Sequence, residues 1–185
     1  MTLTKTPICD FGKKAENFKL RSIKNKLISL DNIRGDKATL VMFICNHCPY
    51  VKAIISELVS DCKHLKKEGV NSVAIMSNDT INYPEDSFEN MIKFSKNNKF
   101  EIIEYLFDEN QEIAKKYGAV CTPDFFGYNK DLKLQYRGRI RELKDLKAIK
   151  DNKSELKKAM KIIAHSQKGP EKQYPSMGCN IKWFK

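Results

Sequence analysis

The sequence predicts an α/β fold: a central mixed β-sheet flanked by helices, with an N-terminal β-hairpin and an irregular C-terminal tail. Three observations lead there. Short apolar runs alternate with longer stretches of helical spacing along most of the 185 residues. One of those runs, residues 38–44, is continuous and contains β-branched members, which suits a strand buried on both faces, and residues 70–76 read as a second buried strand. Two further strand candidates then follow each other directly, as the antiparallel part of a mixed sheet requires.

Taken in order, residues 18–30 alternate apolar and polar side chains around Lys24-Asn25-Lys26, the pattern of a hairpin. Residues 38–44 form the first buried strand, broken by Cys45-Asn46-His47-Cys48-Pro49. Val51, Ile54, Ile55, Leu58, Val59, Cys62 and Leu65 then recur at helical spacing, and Gly69 supplies a stop. A strand over residues 70–76 leads into Ser77-Asn78-Asp79. A helix is expected over 84–96, with Pro84 in its first turn. A strand follows over 102–107, then a short helix over 109–117 ended by Gly118. After Thr122-Pro123, strands are expected over 125–128 and 132–140, and a long helix over 145–164 with Leu146, Ile149, Leu156, Met160 and Ile163 on its apolar side. Breakers at Gly169-Pro170 and around Pro175 exclude a further long element in the tail. Residues 1–166 are therefore expected to form one domain, with residues 167–185 as a tail docked on it.

Composition narrows the function. With 41% hydrophobic and 31% charged residues, eight Gly and six Pro, the chain is not collagen-like, mucin-like or wholly disordered. Its longest apolar run, residues 40–45, falls far short of the ~18 residues of a membrane span, and residues 1–14 lack the apolar core of a signal peptide. A cytoplasmic protein with no membrane partner is expected. The net charge of +11 invites a nucleic-acid reading, but only five of the 34 basic residues are arginine. Lysines spread along a chain make a solvated surface more readily than a base-reading one, so no nucleic-acid partner is expected.

Six cysteines in a reducing compartment mean buried filler, metal ligation or redox chemistry. Cys45-Asn46-His47-Cys48 has the Cys-x-x-Cys spacing of a dithiol site. Pro49 suits the first helical position and makes Cys48 the N-cap, where unshared amide hydrogens favour a thiolate. Cys48 is thus the expected nucleophile. The helix dipole contributes about 0.3 to 1 kcal/mol, under one pKa unit, so other donors must assist, with His47 a candidate. Cys45 reads either as a resolving thiol or as a small buried hydrophobe.

Residues 40–52 (LVMFICNHCPYVK) resemble the active-site strand and helix start of the thioredoxin superfamily. Residues 15–20 (AENFKL) are similar to the entry segment of peroxiredoxin-like and thiol-disulfide interchange proteins, and residues 119–126 (AVCTPDFF) to their Thr-Pro loop. Together with 77–79 (SND), 83–86 (YPED), 136–138 (YRG) and 175–183 (PSMGCNIKW), they identify the chain as resembling the peroxiredoxin-like, AhpC/TSA-type redoxins over almost its whole length. The resemblance implies a thioredoxin-like fold, a cis Pro123, a disulfide or peroxide substrate, a cellular thiol reductant and an antioxidant role, and calls for no cofactor. Three positions depart from the family patterns. Val51 stands where the thioredoxin-type second cysteine would be, and Val41 and Cys45 replace the proline and threonine of Pro-x-x-x-Thr-x-x-Cys.

A resolving thiol is therefore sought elsewhere. Cys121 lies two residues before Pro123, and Cys179 lies in the tail beside the apolar anchors Ile181 and Trp183; each reads as a resolving thiol or as packing. Thr122 would offer its backbone to a substrate if Pro123 is cis. Cys9 and Cys62 read as structural, and Arg137, Arg139 and Arg141 as one solvated strand face. Two other functions compete: zinc or copper(I) binding through Cys45, His47 and Cys48, with Cys121 or Cys179 as further ligands, and a non-catalytic binding module of the same fold.

Overall fold

In the computed structural model, which describes residues 2–149 and 153–185, the segments 38–44 and 70–76 form the middle of a seven-stranded sheet. Strands β1 (Leu3–Lys5), β2 (Lys19–Ser22) and β3 (Leu27–Ser29) precede helix α1 (Leu30–Ile33), and β4 (Ala38–Phe43) leads into α2 (Pro49–Lys67). Next come β5 (Val70–Met76), a 3-10 turn (Pro84–Asp86), α3 (Phe88–Asn97), β6 (Ile103–Phe107), α4 (Glu112–Tyr117), β7 (Cys121–Thr122), β8 (Asp124–Asn129) and β9 (Leu134–Arg137). A hairpin of β10 (Leu143–Lys144) and β11 (Lys147–Ala148), helix α5 (Glu155–Ser166) and strand β12 (Met177–Asn180) complete the chain.

The sheet order is β3-β2-β6-β5-β4-β8-β9. Strands β4, β5 and β6 run parallel, while the β2–β3, β2–β6, β4–β8 and β8–β9 pairs are antiparallel. Side chains alternate across a strand, and β4 sorts them into two cores. Leu40 and Met42 pack with α2 and α5, whereas Val41 and Phe43 pack with α1, α4 and Phe126. Both faces are covered, which is why the run carries no polar alternation.

Several expectations are corrected. Residues 145–149 are not helical: Asp145 and Leu146, at φ 50° and 60°, form the two-residue turn between β10 and β11. Two successive positive φ values match the right-handed twist of a tight hairpin, and they outweigh the helical spacing of Leu146 and Ile149, which stay exposed. Helix α5 begins only at Glu155, capped by Ser154, and residues 150–152 of the expected helix lie outside the described residues. The helix expected from Pro84 is split because the Ser87 side chain accepts from the Asn90 amide and starts α3 afresh. The expected strand over 132–140 is shortened to β9, with Leu132 at φ 56° in the preceding turn.

The tail also contains more order than its breakers suggested. Strand β12 lies between β1 and β7 in a separate three-stranded sheet, pairing antiparallel with both. It is only four residues long, too short for its sequence to announce. The expected solvated arginine face is likewise absent. Arg137 is buried against Asp124 at 2.9 Å, Arg139 pairs with Glu155 at 2.8 Å, and Arg141 lies 3.2 Å from Glu57.

Candidate active site

The chain leaves β4 deep in the molecule and turns through Cys45 to His47 before entering α2, so the turn is built from buried backbone that must find partners. Asp86 provides them. Its fully buried carboxylate accepts from the Asn46 amide at 2.8 Å, the His47 amide at 3.3 Å and the Asn78 side chain at 2.7 Å, and it meets His47 Nδ1 at 2.7 Å. Tyr105 donates to Asn46 Oδ1 at 3.0 Å. The carboxylate raises the His47 pKa against the opposing effect of burial, and the ring stacks on Tyr83 with centroids 5.9 Å apart.

Cys48 is the N-cap of α2, with Pro49 in the first turn. It is wholly buried. Opposite it, the peptide bond between Thr122 and Pro123 is cis. Thr122 pairs with Cys179 across β7 and β12. This pairing puts four groups together: Cys48 Sγ lies 3.1 Å from the Thr122 carbonyl oxygen and 3.2 Å from Cys179 Sγ, while Cys45 Sγ lies 3.3 Å from Thr122 Oγ1. Cys121 precedes Thr122 in an extended strand and so points to the other face, where it donates to the Pro123 carbonyl at 3.7 Å. Cys62 lies on the buried side of α2 in one core, and Cys9 at the edge of the other.

The electrostatics separate the sulfurs. The Cys48 pKa is lowered to about 5, chiefly by a hydrogen bond from Cys45, with the Cys179 thiol and the Val51 and Cys179 amides adding to it and burial opposing. The Val51 amide does this without completing a side-chain cap. The Thr122 carbonyl works the other way, because it accepts only from the protonated sulfur. The Cys45 thiol is pushed well up by the bond it gives to Cys48 and then by burial. Cys179 is pushed up to about 12, first by burial and then by Cys48. Burial also pushes Cys121 up. One ionised sulfur is thus surrounded by protonated ones. The extra donors that the helix dipole required are mainly neighbouring thiols rather than His47.

A metal would meet a different set from Cys45, His47 and Cys48: donor atoms of Cys45, His47 and Asp86 lie within 4.8 Å of one another. Both Asp86 oxygens already accept from nitrogen donors, so this carboxylate is spent on shaping the turn. Asp86 is also the site residue that sequence reasoning missed. It stands in the 83–86 run, but nothing in its spacing says that it folds back beneath residues 46 and 47. No helix among the described residues is long and apolar enough to cross a membrane.

The sequence pattern of the AhpC/TSA family matches residues 11–142. An uncharacterized conserved protein from Geobacillus kaustophilus has a similar structure at TM-score 0.94 and 40% identity, covering 100% of this chain and 97% of its own. A hypothetical protein from Sinorhizobium meliloti is similar at TM-score 0.90 and 32% identity, with 98% of each chain covered. The peroxidoxin BcpB of Mycobacterium tuberculosis shares the fold at TM-score 0.57 and 15% identity, over 69% of this chain and 83% of that one. No curated protein matches the chain.

Proposed function

The chain belongs to the AhpC/TSA family, and from that premise we propose that it is a thiol-dependent oxidoreductase in which Cys48 is the nucleophile and Cys179 the resolving thiol. The observation that carries this reading is the 3.2 Å contact between a sulfur ionised near neutrality and a protonated one. The Cys48 thiolate attacks one sulfur of a disulfide; a Cys48–substrate bond forms, the substrate S–S bond breaks, and the departing thiolate takes a proton. With a hydroperoxide the same thiolate displaces the alcohol oxygen and becomes a sulfenic acid. His47, whose pKa Asp86 raises, is the proposed proton source for either leaving group. Cys179 then loses its proton and attacks Cys48, releasing a thiol or water and leaving a Cys48–Cys179 disulfide.

A cellular thiol reduces that disulfide, which places the protein in a reducing compartment, the cytoplasm. Residues 167–185 are on this reading a working part of the site rather than an appendage. Cys45 acts through Cys48 as a hydrogen-bond donor that stabilises its thiolate, and Thr122 and Pro123 hold the facing loop.

Peptide mapping after one equivalent of oxidant tests the proposal. The expected product is a Cys48–Cys179 disulfide. Cys179→Ser should stop at a sulfenate or mixed disulfide on Cys48, and Cys121→Ser should change nothing. Absence of any oxidised form of Cys48 would overturn it.

A further inference from the structure

The arginines at alternate positions 137, 139 and 141 are satisfied to very different degrees. Arg137 donates to both oxygens of Asp124 and to the Gly118 carbonyl. Arg139 donates three hydrogen bonds to Glu155, and its guanidinium lies over the Tyr174 ring at 4.6 Å. Arg141 makes no hydrogen bond among the described residues. Its one polar contact is the Glu57 carboxylate, 3.2 Å from Nε, and that nitrogen is buried without a hydrogen-bond partner.

Only 14% of the Arg141 side chain is exposed. A guanidinium carries five N–H donors and keeps its charge at any ordinary pH, so burying one beside a single acceptor that forms no hydrogen bond with it leaves it undersatisfied. Glu57 is a weak counterion besides, because burial raises its pKa.

Arg141 lines a cleft of about 510 Å³. Helix α2 forms one wall through Tyr50 and Ile54, and Glu57 continues the same stripe one turn on, which places the guanidinium at the Ile54 end of the cleft. Ile140, Leu143 and Tyr174 add further apolar wall. The remaining charges are engaged elsewhere: Lys5, Glu142 and Asp145 are exposed at the rim, where solvent screens them, and Arg139 is held by Glu155. Neither Cys48 nor Cys179 lines the cleft, so it is a site apart from the sulfurs. Its volume and its largely apolar wall with one convergent charge are those of a small-molecule site.

We infer that this cleft binds a small organic carboxylate, with an aromatic or branched aliphatic body against Tyr50, Ile54, Leu143 and Tyr174 and its carboxylate on the Arg141 guanidinium. A carboxylate matches that planar fork and supplies the acceptors it lacks. Glu57, so close to Nε, repels the second charge of a phosphate monoester, so a monoanion fits better. The inference does not depend on the role of Cys48.

The test is titration of the reduced full chain, followed by amide NMR and calorimetry, with phenylacetate, its neutral analogue phenylacetamide, and acetate. Phenylacetate should shift amides in segments 50–54, 140–143 and 174–177 and bind at least about tenfold more tightly than the amide, which has the body without the charge. Acetate, which has the charge without the body, should leave those segments unmoved. Arg141→Gln should bring phenylacetate down to the affinity of phenylacetamide, Glu57→Gln should tighten it, and Lys5→Gln should change neither. Equal wild-type affinities for acid and amide, shifts confined to other surfaces, or no binding of either at millimolar concentration would each overturn the inference. An Arg141→Gln protein that keeps the preference for the acid would overturn it too. If that variant does not fold, the wild-type comparison of the three probes and the response to Glu57→Gln decide the matter.

Discussion

The sulfurs of Cys48 and Cys179 lie 3.2 Å apart although 131 positions separate them in the chain. Their ionisations oppose each other. Burial keeps Cys179 protonated, and the Cys48 charge and hydrogen bond add to that effect. When Cys48 is bonded to a substrate sulfur its charge is gone, so the part of the Cys179 shift that Cys48 causes disappears while the part due to burial stays. On the proposed function, the second thiol is therefore restrained until the first has reacted.

Cys45 should set the reactivity of Cys48, because its hydrogen bond is the largest cause of the lowered pKa. A hydrogen bond to a charged group contributes roughly 1.5 to 3 kcal/mol, which is about one to two pKa units. Cys45→Ala should raise the midpoint of Cys48 alkylation by that amount, and Cys45→Ser, which retains a donor, by less. Equal midpoints in the two variants would show that Cys45 only fills space.

Stability should depend on pH through the same sulfur. The folded pKa of Cys48, about 5, lies below its ordinary 9.0, so its contribution is present in full above about pH 9 and is lost as pH falls toward 5. Denaturant unfolding of the wild type should therefore lose up to about 1.4 kcal/mol per pH unit relative to Cys48→Ser between those limits. The difference between the two proteins isolates this sulfur from His47, whose raised pKa works in the opposite sense: its contribution is present below the unfolded value and is lost as pH rises through the folded one. Parallel pH profiles would count against an ionised Cys48.

Asp86 should matter for both architecture and charge. Asp86→Ala strands the donors of Asn46, His47 and Asn78 in the interior, at a cost of about 3 to 5 kcal/mol in unfolding free energy. Asp86→Asn should be milder, but it should bring the His47 titration, followed by NMR, down toward its ordinary value. A His47 midpoint unchanged in Asp86→Asn would mean that the carboxylate does not hold the imidazolium.

The sheet and the Cys48 turn were legible because each rests on a local pattern: a buried strand is continuously apolar, and a proline opens the helix after the cysteine. The hairpin at residues 143–148 was hidden because Leu146 and Ile149 share a helical spacing with Leu156 and Met160, and periodicity does not register positive φ at Asp145 and Leu146. Asp86 and β12 were hidden for another reason. Their partners, Asn46 and His47 in one case and Thr122 in the other, are distant in sequence, and single carboxylates or four-residue strands carry no period. Cys179 was readable as a candidate; that it, rather than Cys121, faces Cys48 comes from the register of β12 on β7.

The most direct measurement is the rate of Cys48 alkylation against pH in the full chain, with the thiolate absorbance recorded in parallel. The account predicts a midpoint near 5, displaced upward in Cys179→Ala because one donor to the thiolate is lost. A midpoint near the ordinary 9.0, the same with and without Cys179, would contradict it.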